Sequence, residues 1–376
     1  MFTVFAKNAS LAVELIAKEC AESATGDVCE VEGVFARFTL DSIGSIGFGV
    51  NLNSLVVARG GEEEGTTGEG GYDHRDFGAA FDTATALTSK RLLQPFWKLY
   101  RFFNFLPGDA RKMRDACATI KRFTRTVIRE RRQAGDFESK ADLLSRFMRL
   151  SENDGRGTLE LKDGTVQFTD EELQHLVINF VLAGRDTTAN VLTWAIYELA
   201  KNPEVVEKIR QEQKEKFNDS PPSFDTVSSS MYLKAVFYEA LRLHPSVPTD
   251  FKTAVNDDVL PDGTLIKAGD RITFVIYAMG RSSELWDEPL AFRPERHFDE
   301  EGRVKIVGYR FPAFICGPRE CIGKESAFLS TAVMLLAFLK AYDVMSCADE
   351  EPIYTTGLTL WTDKGFRVRL KNRSPE

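Results

Sequence analysis

Ten residues near the C-terminus, Phe314-Ile315-Cys316-Gly317-Pro318-Arg319-Glu320-Cys321-Ile322-Gly323, read F-x-x-G-x-R-x-C-x-G and run at once into an apolar helical stretch. The pattern suits a loop that presents one thiolate to a haem iron. Such a ligand needs a depressed pKa and donors around its sulfur, and a glycine-punctuated turn entering a helix N-terminus offers backbone N–H groups and a positive dipole end. Gly317 and Gly323 let the backbone approach a porphyrin closely, and Arg319 can pair with a propionate. A lone cysteine is more often a small buried hydrophobe; the Phe, Gly, Arg and Gly spaced around Cys321 favour ligation instead. Cys316 is read as packing.

Three further signals precede this loop. Ala183-Gly184-Arg185-Asp186-Thr187-Thr188 stands inside a long periodic segment, where Phe180, Ala183, Gly184 and Thr187 share one helical face. Small residues there leave a hollow in which a hydroxyl and an adjacent acid could hold a water and relay protons. The competing reading is a close helix contact with Thr187 bonded back to the Ala183 carbonyl. Glu239 and Arg242, three residues apart, would be an ordinary surface pair worth only ~0.2–0.5 kcal/mol if exposed. Phe292-Arg293-Pro294-Glu295-Arg296 follows them.

The elements that must position these groups are mostly helical. Periodicity predicts helices over Val4–Ala21, Val31–Phe48, Asp76–Lys90, Leu92–Phe105, Ala110–Gln133, Ala141–Leu150, Met231–Leu243 and Ala327–Leu339. The longest, Thr169–Lys201, opens on a Thr169/Glu172 capping box, stops at Asn202-Pro203 and would span roughly 48 Å. Between Phe251 and Ala278 the pattern alternates around a Pro261-Asp262-Gly263 turn, a small β-rich part. Arg59–Gly71 has almost no apolar content and reads as a flexible loop; Asn153–Phe168 reads as a loop or hairpin. The arginines 122, 125, 129, 131 and 132 read as a solvated face, with partner or lipid-headgroup contact as the minority view.

The 376 residues carry a formal net charge of −8, which argues against nucleic acid as a partner. Six cysteines without a C-x-x-C, beside four histidines, give no zinc spacing and fit reduced thiols on the cytosolic side. No segment has the uncharged apolar length of a transmembrane span, and the first residues become charged too soon for a signal peptide.

The order A-G-x-D-T-T, E-x-x-R, F-x-P-E-R and thiolate loop resembles the cytochrome P450 superfamily through nearly the whole chain, 1–376 forming one such domain. The wording is most similar to the fatty-acid omega-hydroxylase clan of plants and eukaryotic microbes. Carrying it are Asp76–Thr85 (DFGAAFDTAT), Leu243–Pro248 (LHPSVP), Asp257–Thr264 (DDVLPDGT) and Tyr277–Arg281 (YAMGR). The resemblance implies a mostly α fold with a small β-rich part, lacking the family's N-terminal sheet and first helices, as in an N-terminally truncated chain.

The same resemblance assigns roles. Cys321 would be the axial ligand of haem b iron, with Phe314 packed near its sulfur and Gly317 and Gly323 shaping the loop. Asp186 and Thr187 would deliver protons, while Ala183 and Gly184 make room for dioxygen. Arg319 and Lys252 would neutralise propionates, and Glu239, Arg242 and Arg296 would form a structural triad. Phe180, Val181, Val247, Pro248 and Thr356–Leu360 fall at positions resembling substrate-channel walls. The implied activity is an NADPH- and O2-dependent monooxygenase that takes electrons from NADPH-cytochrome P450 reductase. It would hydroxylate a small apolar substrate, a long-chain fatty acid at or near the omega carbon. Membrane association is expected of the full-length protein, on the cytosolic face of the endoplasmic reticulum. Two alternatives stand beside this: an oxygen-independent haem-thiolate isomerase or dehydratase of fatty-acid hydroperoxides, and a non-catalytic truncated chain. Thr187 beside Asp186 disfavours the former, which needs no proton relay to dioxygen.

Overall fold

Apolar residues at helical spacing and a few well-placed caps account for most of the architecture. The structure, a computed structural model, describes residues 1–60, 74–92, 107–152, 168–217, 220–306, 308–347, 351–355 and 357–373. The expected helix over 92–105, the loop over 153–168 and nearly all of the loop over 59–71 lie outside these residues.

The chain divides into two compact units. Unit 1 comprises Met1–Ala189, Val333–Gly357 and Trp361–Glu376; unit 2 comprises Asn190–Ala332 and Leu358–Leu360. In chain order, unit 1 begins with α1 (Phe2–Glu22), β1 (Val28–Glu30), α2 (Glu32–Phe48) and α3 (Ser54–Ala58). It continues with α4 (His74–Leu92), α5 (Pro107–Ala134), α6 (Leu143–Glu152) and α7 (Asp170–Gly184). Helix α8 (Asp186–Lys201) crosses the division. Unit 2 then holds α9 (Pro203–Phe217), α10 (Phe224–Ser228), α11 (Met231–Leu243), β2 (Asp250–Thr253), β3 (Asp258–Val259), β4 (Leu265–Ile266), β5 (Arg271–Phe274) and α12 (Ile276–Met279). Helix α13 (Lys324–Ala341) leads back to β6 (Tyr342–Cys347) and β7 (Arg367–Asn372) of unit 1.

The core of unit 1 is built from one face of each helix. Phe48, Phe77, Phe81, Ile120, Phe123, Val127, Leu144, Met148, Leu173, Val177 and Val181 form one buried cluster. Helix α2 stops at Gly49, whose φ of +63° closes a left-handed cap that a side chain would strain. The antiparallel sheet β1-β7-β6 places Cys29 opposite Val368 and Val344 opposite Leu370. Alternation in Arg367-Val368-Arg369-Leu370 sends the two aliphatic side chains inward, as a period of two requires. In unit 2, β2 pairs with β5 and β3 with β4, both antiparallel. The β3–β4 turn is the expected one: the Asp262 carboxylate accepts from Thr264 N at 2.9 Å and Gly263 takes a φ of +88°.

Two expectations need correction. Thr169–Lys201 is not one helix: the capping box is present, but the helix breaks at Arg185 into α7 and α8. Gly184 weakens the turn, and Thr187 Oγ1 donates to the Ala183 carbonyl at 2.6 Å, a back-bond that bends helices. Arg185 is also drawn sideways by Asp82, 2.5 Å from its guanidinium. The arginine run of α5 is the second correction, since Arg131 is buried while Arg122, Arg125 and Arg129 are exposed. At roughly 100° per residue Arg131 lies on the side opposite Arg122. There it meets Asp142 at 2.6 Å and the Phe48 carbonyl at 3.0 Å.

Candidate functional site

The predicted residues divide between the two units, and within each unit they form distinct groups. In unit 2 the thiolate loop runs between short 3-10 turns at Pro312–Phe314 and Gly317–Arg319 and ends where α13 begins. Gly317 has a φ of +80°, and Cys321 N donates to the Phe314 carbonyl at 2.8 Å, which folds the loop back on itself. Cys321 is exposed, as is Arg319, and neither has a side-chain partner among the described residues. Gly323 lies close to the sulfur, where a Cβ would make ordinary van der Waals contact with Cys321 Sγ at 3.7 Å. Cys316 is occupied otherwise, its thiol donating to the Gly308 carbonyl at 2.9 Å. An open soft thiolate on a glycine loop, with an uncommitted guanidinium two residues away, fits one axial bond to haem iron and one propionate contact. Among the described residues no cluster of three His, Cys, Asp or Glu side chains could hold a bare metal ion instead.

Behind the loop stands α11. Phe237 stacks on Phe314 at a centroid distance of 6.0 Å, and Tyr238 meets Phe311 edge-on at 5.7 Å. The next residue, Glu239, is fully buried and gathers the structural triad: Arg242 at 2.8 Å and Arg296 at 2.9 Å both reach its Oε1. Two partners went unread in the sequence. His297 lies 2.9 Å from Glu239 Oε2, and Arg293 N donates to Oε1 at 2.8 Å. His297 directly follows Arg296, and that adjacency was the available signal. Burial works to raise this carboxyl, but hydrogen bonds from Arg242 and His297 outweigh it and bring the pKa down to about 2. Arg242 in turn donates to the carbonyls of Gly280, Pro289 and Ala291 at 2.5, 2.6 and 2.9 Å. Gly280 has to be glycine because a Cβ there would overlap the Arg242 carbonyl oxygen. The node thus ties α11 to the 280–297 segment, and through Phe237 and Tyr238 the same helix supports the thiolate loop.

Lys252 stands apart from these groups on β2, exposed, with its ammonium 2.9 Å from Asp250. It borders a shallow cavity of about 490 Å³ lined also by Val255, Asn256, Asp258 and Ile272.

In unit 1 the break between α7 and α8 leaves Ala183 exposed and Thr187 half-exposed, while Asp186 is buried. Gly184 serves a helix contact, since a Cβ there would lie 3.0 Å from Ile43 of α2. The close-contact reading describes this face: Gly184 lets α2 approach and Thr187 is bonded back to the Ala183 carbonyl, with Ala183 itself exposed. Asp186 Oδ1 has no hydrogen-bond donor, and the nearest cation, Arg185, is 3.3 Å away. Burial pushes this carboxyl up, Arg185 offsets part of the shift, and Asp82 adds to it. A carboxyl so placed holds a proton more readily than a surface aspartate.

Among the proposed channel walls, Val181 is fully buried in the unit 1 core and cannot face a ligand; Thr356 lies outside the described residues. Leu360 is held from behind, its carbonyl accepting from Trp194 Nε1 at 2.7 Å and from Asn190 Nδ2. No helix among the described residues is long and apolar enough to cross a membrane.

The family profile for cytochrome P450 matches residues 1–370. Cytochrome P450 94A1 of Vicia sativa is 32% identical over 364 residues, covering 93% of this chain and 65% of its own length. Cytochrome P450 94C1 of Arabidopsis thaliana is 34% identical over 361 residues, with coverages of 93% and 67%. Cytochrome P450 704C1 of Pinus taeda is 33% identical over 393 residues, with coverages of 98% and 71%. The chain spans about two thirds of the length of these relatives. Among solved structures, the heme domain of cytochrome P450DA aligns with a TM-score of 0.80 at 23% identity, over 99% of this chain and 73% of that one, a likeness of fold.

Proposed function

The chain belongs to the cytochrome P450 family, and from that premise we propose that it works as a haem-thiolate monooxygenase on long-chain fatty acids, hydroxylating at or near the methyl end. The reaction balances as RH + O2 + NADPH + H⁺ → ROH + H2O + NADP⁺, with the electrons passed on by NADPH-cytochrome P450 reductase. The protein would work at the cytosolic face of the endoplasmic reticulum membrane. The observation that carries the reading is the exposed Cys321 thiol on its glycine-shaped loop with Arg319 uncommitted beside it.

Bound haem supplies dioxygen binding and O–O cleavage, chemistry that belongs to the cofactor. The chain's own residues supply the rest. Cys321 would ligate the haem iron and Arg319 would meet a propionate, while Glu239, Arg242, Arg296 and His297 hold α11 and the following segment in register. Asp186, whose carboxyl burial pushes up, would pass protons on. Thr187 donates its hydroxyl proton to the Ala183 carbonyl and would stand beside Asp186 in proton delivery. Phe180 in unit 1, and Val247, Pro248 and Leu358 in unit 2, are apolar and at least partly accessible. The fatty-acid assignment draws on the resemblance of residues 76–85, 243–248, 257–264 and 277–281 to omega-hydroxylases, and the relatives from three plants agree with the plant side of it.

The test begins with ligation. The reduced, CO-bound chain is expected to show the red-shifted Soret band of a thiolate haem, lost in Cys321→Ala and kept in Cys316→Ala; a band that survives Cys321→Ala would sink the assignment. With reductase and NADPH, fatty acids of increasing length should yield terminal or near-terminal hydroxy acids, with affinity rising by roughly 0.8 kcal/mol per buried CH₂ until the channel is full. Thr187→Ala should slow hydroxylation by ~10²–10⁴-fold while substrate binding persists. Rearranged hydroperoxides formed without NADPH would place the chain among the isomerases instead.

A further inference from the structure

The solvent face of α5 carries a row of cations without ion-pair partners among the described residues. Arg114, Lys121, Arg122, Arg125 and Arg129 are exposed, and none has an ion-pair partner among the described residues. Only the ends of the row are paired, Arg111 with Asp115 at 3.8 Å and Arg132 with Asp170 at 2.8 Å. At about 100° and 1.5 Å per residue the five lie within roughly a third of the helix circumference over about 22 Å. The concentration is conspicuous because the chain as a whole is acidic, at −8. Repulsion among like charges this close disfavours the bare helix, and an exposed face would be relieved by acids, of which α5 places only Asp115 at the edge of that face.

We infer that this face of α5 lies against an anionic lipid surface. The row is straight and convex, on long flexible stems, and forms no pocket that would select one small anion. A protein partner would need a matching row of fixed acids, whereas lipid headgroups diffuse laterally and collect beneath whatever cations are offered. The face also lacks the aromatic platform on which single-stranded nucleic acid stacks, since Phe123 is buried on the other side. Attraction acts within about 8–10 Å at moderate salt, so the local cations dominate over the distant net charge.

Vesicle sedimentation of the purified 376-residue chain tests the assignment. Vesicles of phosphatidylcholine alone are compared with equal parts of phosphatidylcholine and phosphatidylserine, at low and high salt. Each cation near an anionic leaflet is worth roughly five-fold in binding. The chain should bind the mixed vesicles, release at high salt and ignore pure phosphatidylcholine. Arg125→Glu/Arg129→Glu should weaken binding by roughly 25-fold or more, while Lys214→Glu/Lys216→Glu on α9, an equal change in net charge, leaves it within about two-fold. Thermal unfolding confirms that each variant is folded; should the reversal disturb folding, Arg125→Gln/Arg129→Gln replaces it with the same expected direction. Equal binding to both vesicle types, equal loss in the α9 control, or unchanged binding of the α5 variant each overturns the proposal. Absence of vesicle binding together with Arg125- and Arg129-dependent retention on immobilised polyglutamate also overturns it, and assigns the face to an acidic protein.

Discussion

Glu32 of unit 1 and Glu239 of unit 2 are the same residue type, buried to 5% and 0% exposure, yet their carboxyls move in opposite directions. Glu239 faces two arginines and a histidine and is held near a pKa of about 2. Glu32, at the start of α2, meets only neutral donors, Thr362 N at 3.0 Å and Thr362 Oγ1 at 2.5 Å. Burial raises it to about 7; the Thr362 hydrogen bonds only limit the rise, and neighbouring Glu30 adds to it. Depth therefore does not decide whether a carboxyl keeps its charge; the charge of its partners does. One node is a permanent ion cluster, the other a hydrogen bond whose protonation changes near neutral pH.

Breaking the ion cluster should have the largest effect. Glu239→Ala leaves Arg242 buried without its counter-charge, an expected loss of ~3–5 kcal/mol seen as a collapse of soluble yield or unfolding midpoint. A variant that unfolds within 1 kcal/mol of the parent would show that solvent reaches the arginines.

The pH profile separates the two nodes next. Glu239 has a depressed folded pKa, so its contribution is complete above the ordinary value of 4.5 and is lost as pH falls toward about 2. Glu32 has a raised one: the folded state holds its proton more tightly, so stability is complete below 4.5 and declines as pH rises to about 7. The decline from Glu32 is at most about 3 kcal/mol. Denaturant unfolding between pH 5 and pH 7.5 should show Glu32→Gln with a shallower loss than the parent. Parallel profiles in the two proteins would contradict the assignment.

The smallest effect is expected from Thr362→Val, which removes one donor to Glu32. The loss should be about 1–1.5 kcal/mol below pH 5 and larger above pH 7.5, where the hydrogen bond is charge-assisted. A loss independent of pH would mean that the hydroxyl matters for packing alone.

Helix periodicity and capping made α1, α2, α4, α5, α11 and α13 legible within a few residues of their ends. What periodicity could not reveal was local competition for backbone acceptors. A Gly and a back-bonding Thr split the segment 170–201 although its apolar spacing runs through. The thiolate loop and the Glu239 node were legible because their residue types are rare in such spacing. His297, Gly280 and the Trp194 contact to Leu360 were not, since each depends on a partner far away in sequence. Val181, placed among channel walls by resemblance, instead packs in the unit 1 core with Leu173 and Val177.

The interruption at Arg185 also has a consequence in time. Segments of 15 and 16 residues are near the length at which an isolated helix is only marginal, so each half relies on its own packing. Helix α7 is anchored by Leu173, Val177 and Val181, and α8 by Ala195, Ile196 and Leu199. Opening one half does not require opening the other, and their amide protons should exchange with deuterium in two separate phases. The acid and hydroxyl at positions 186 and 187 then sit at the junction of the two helices.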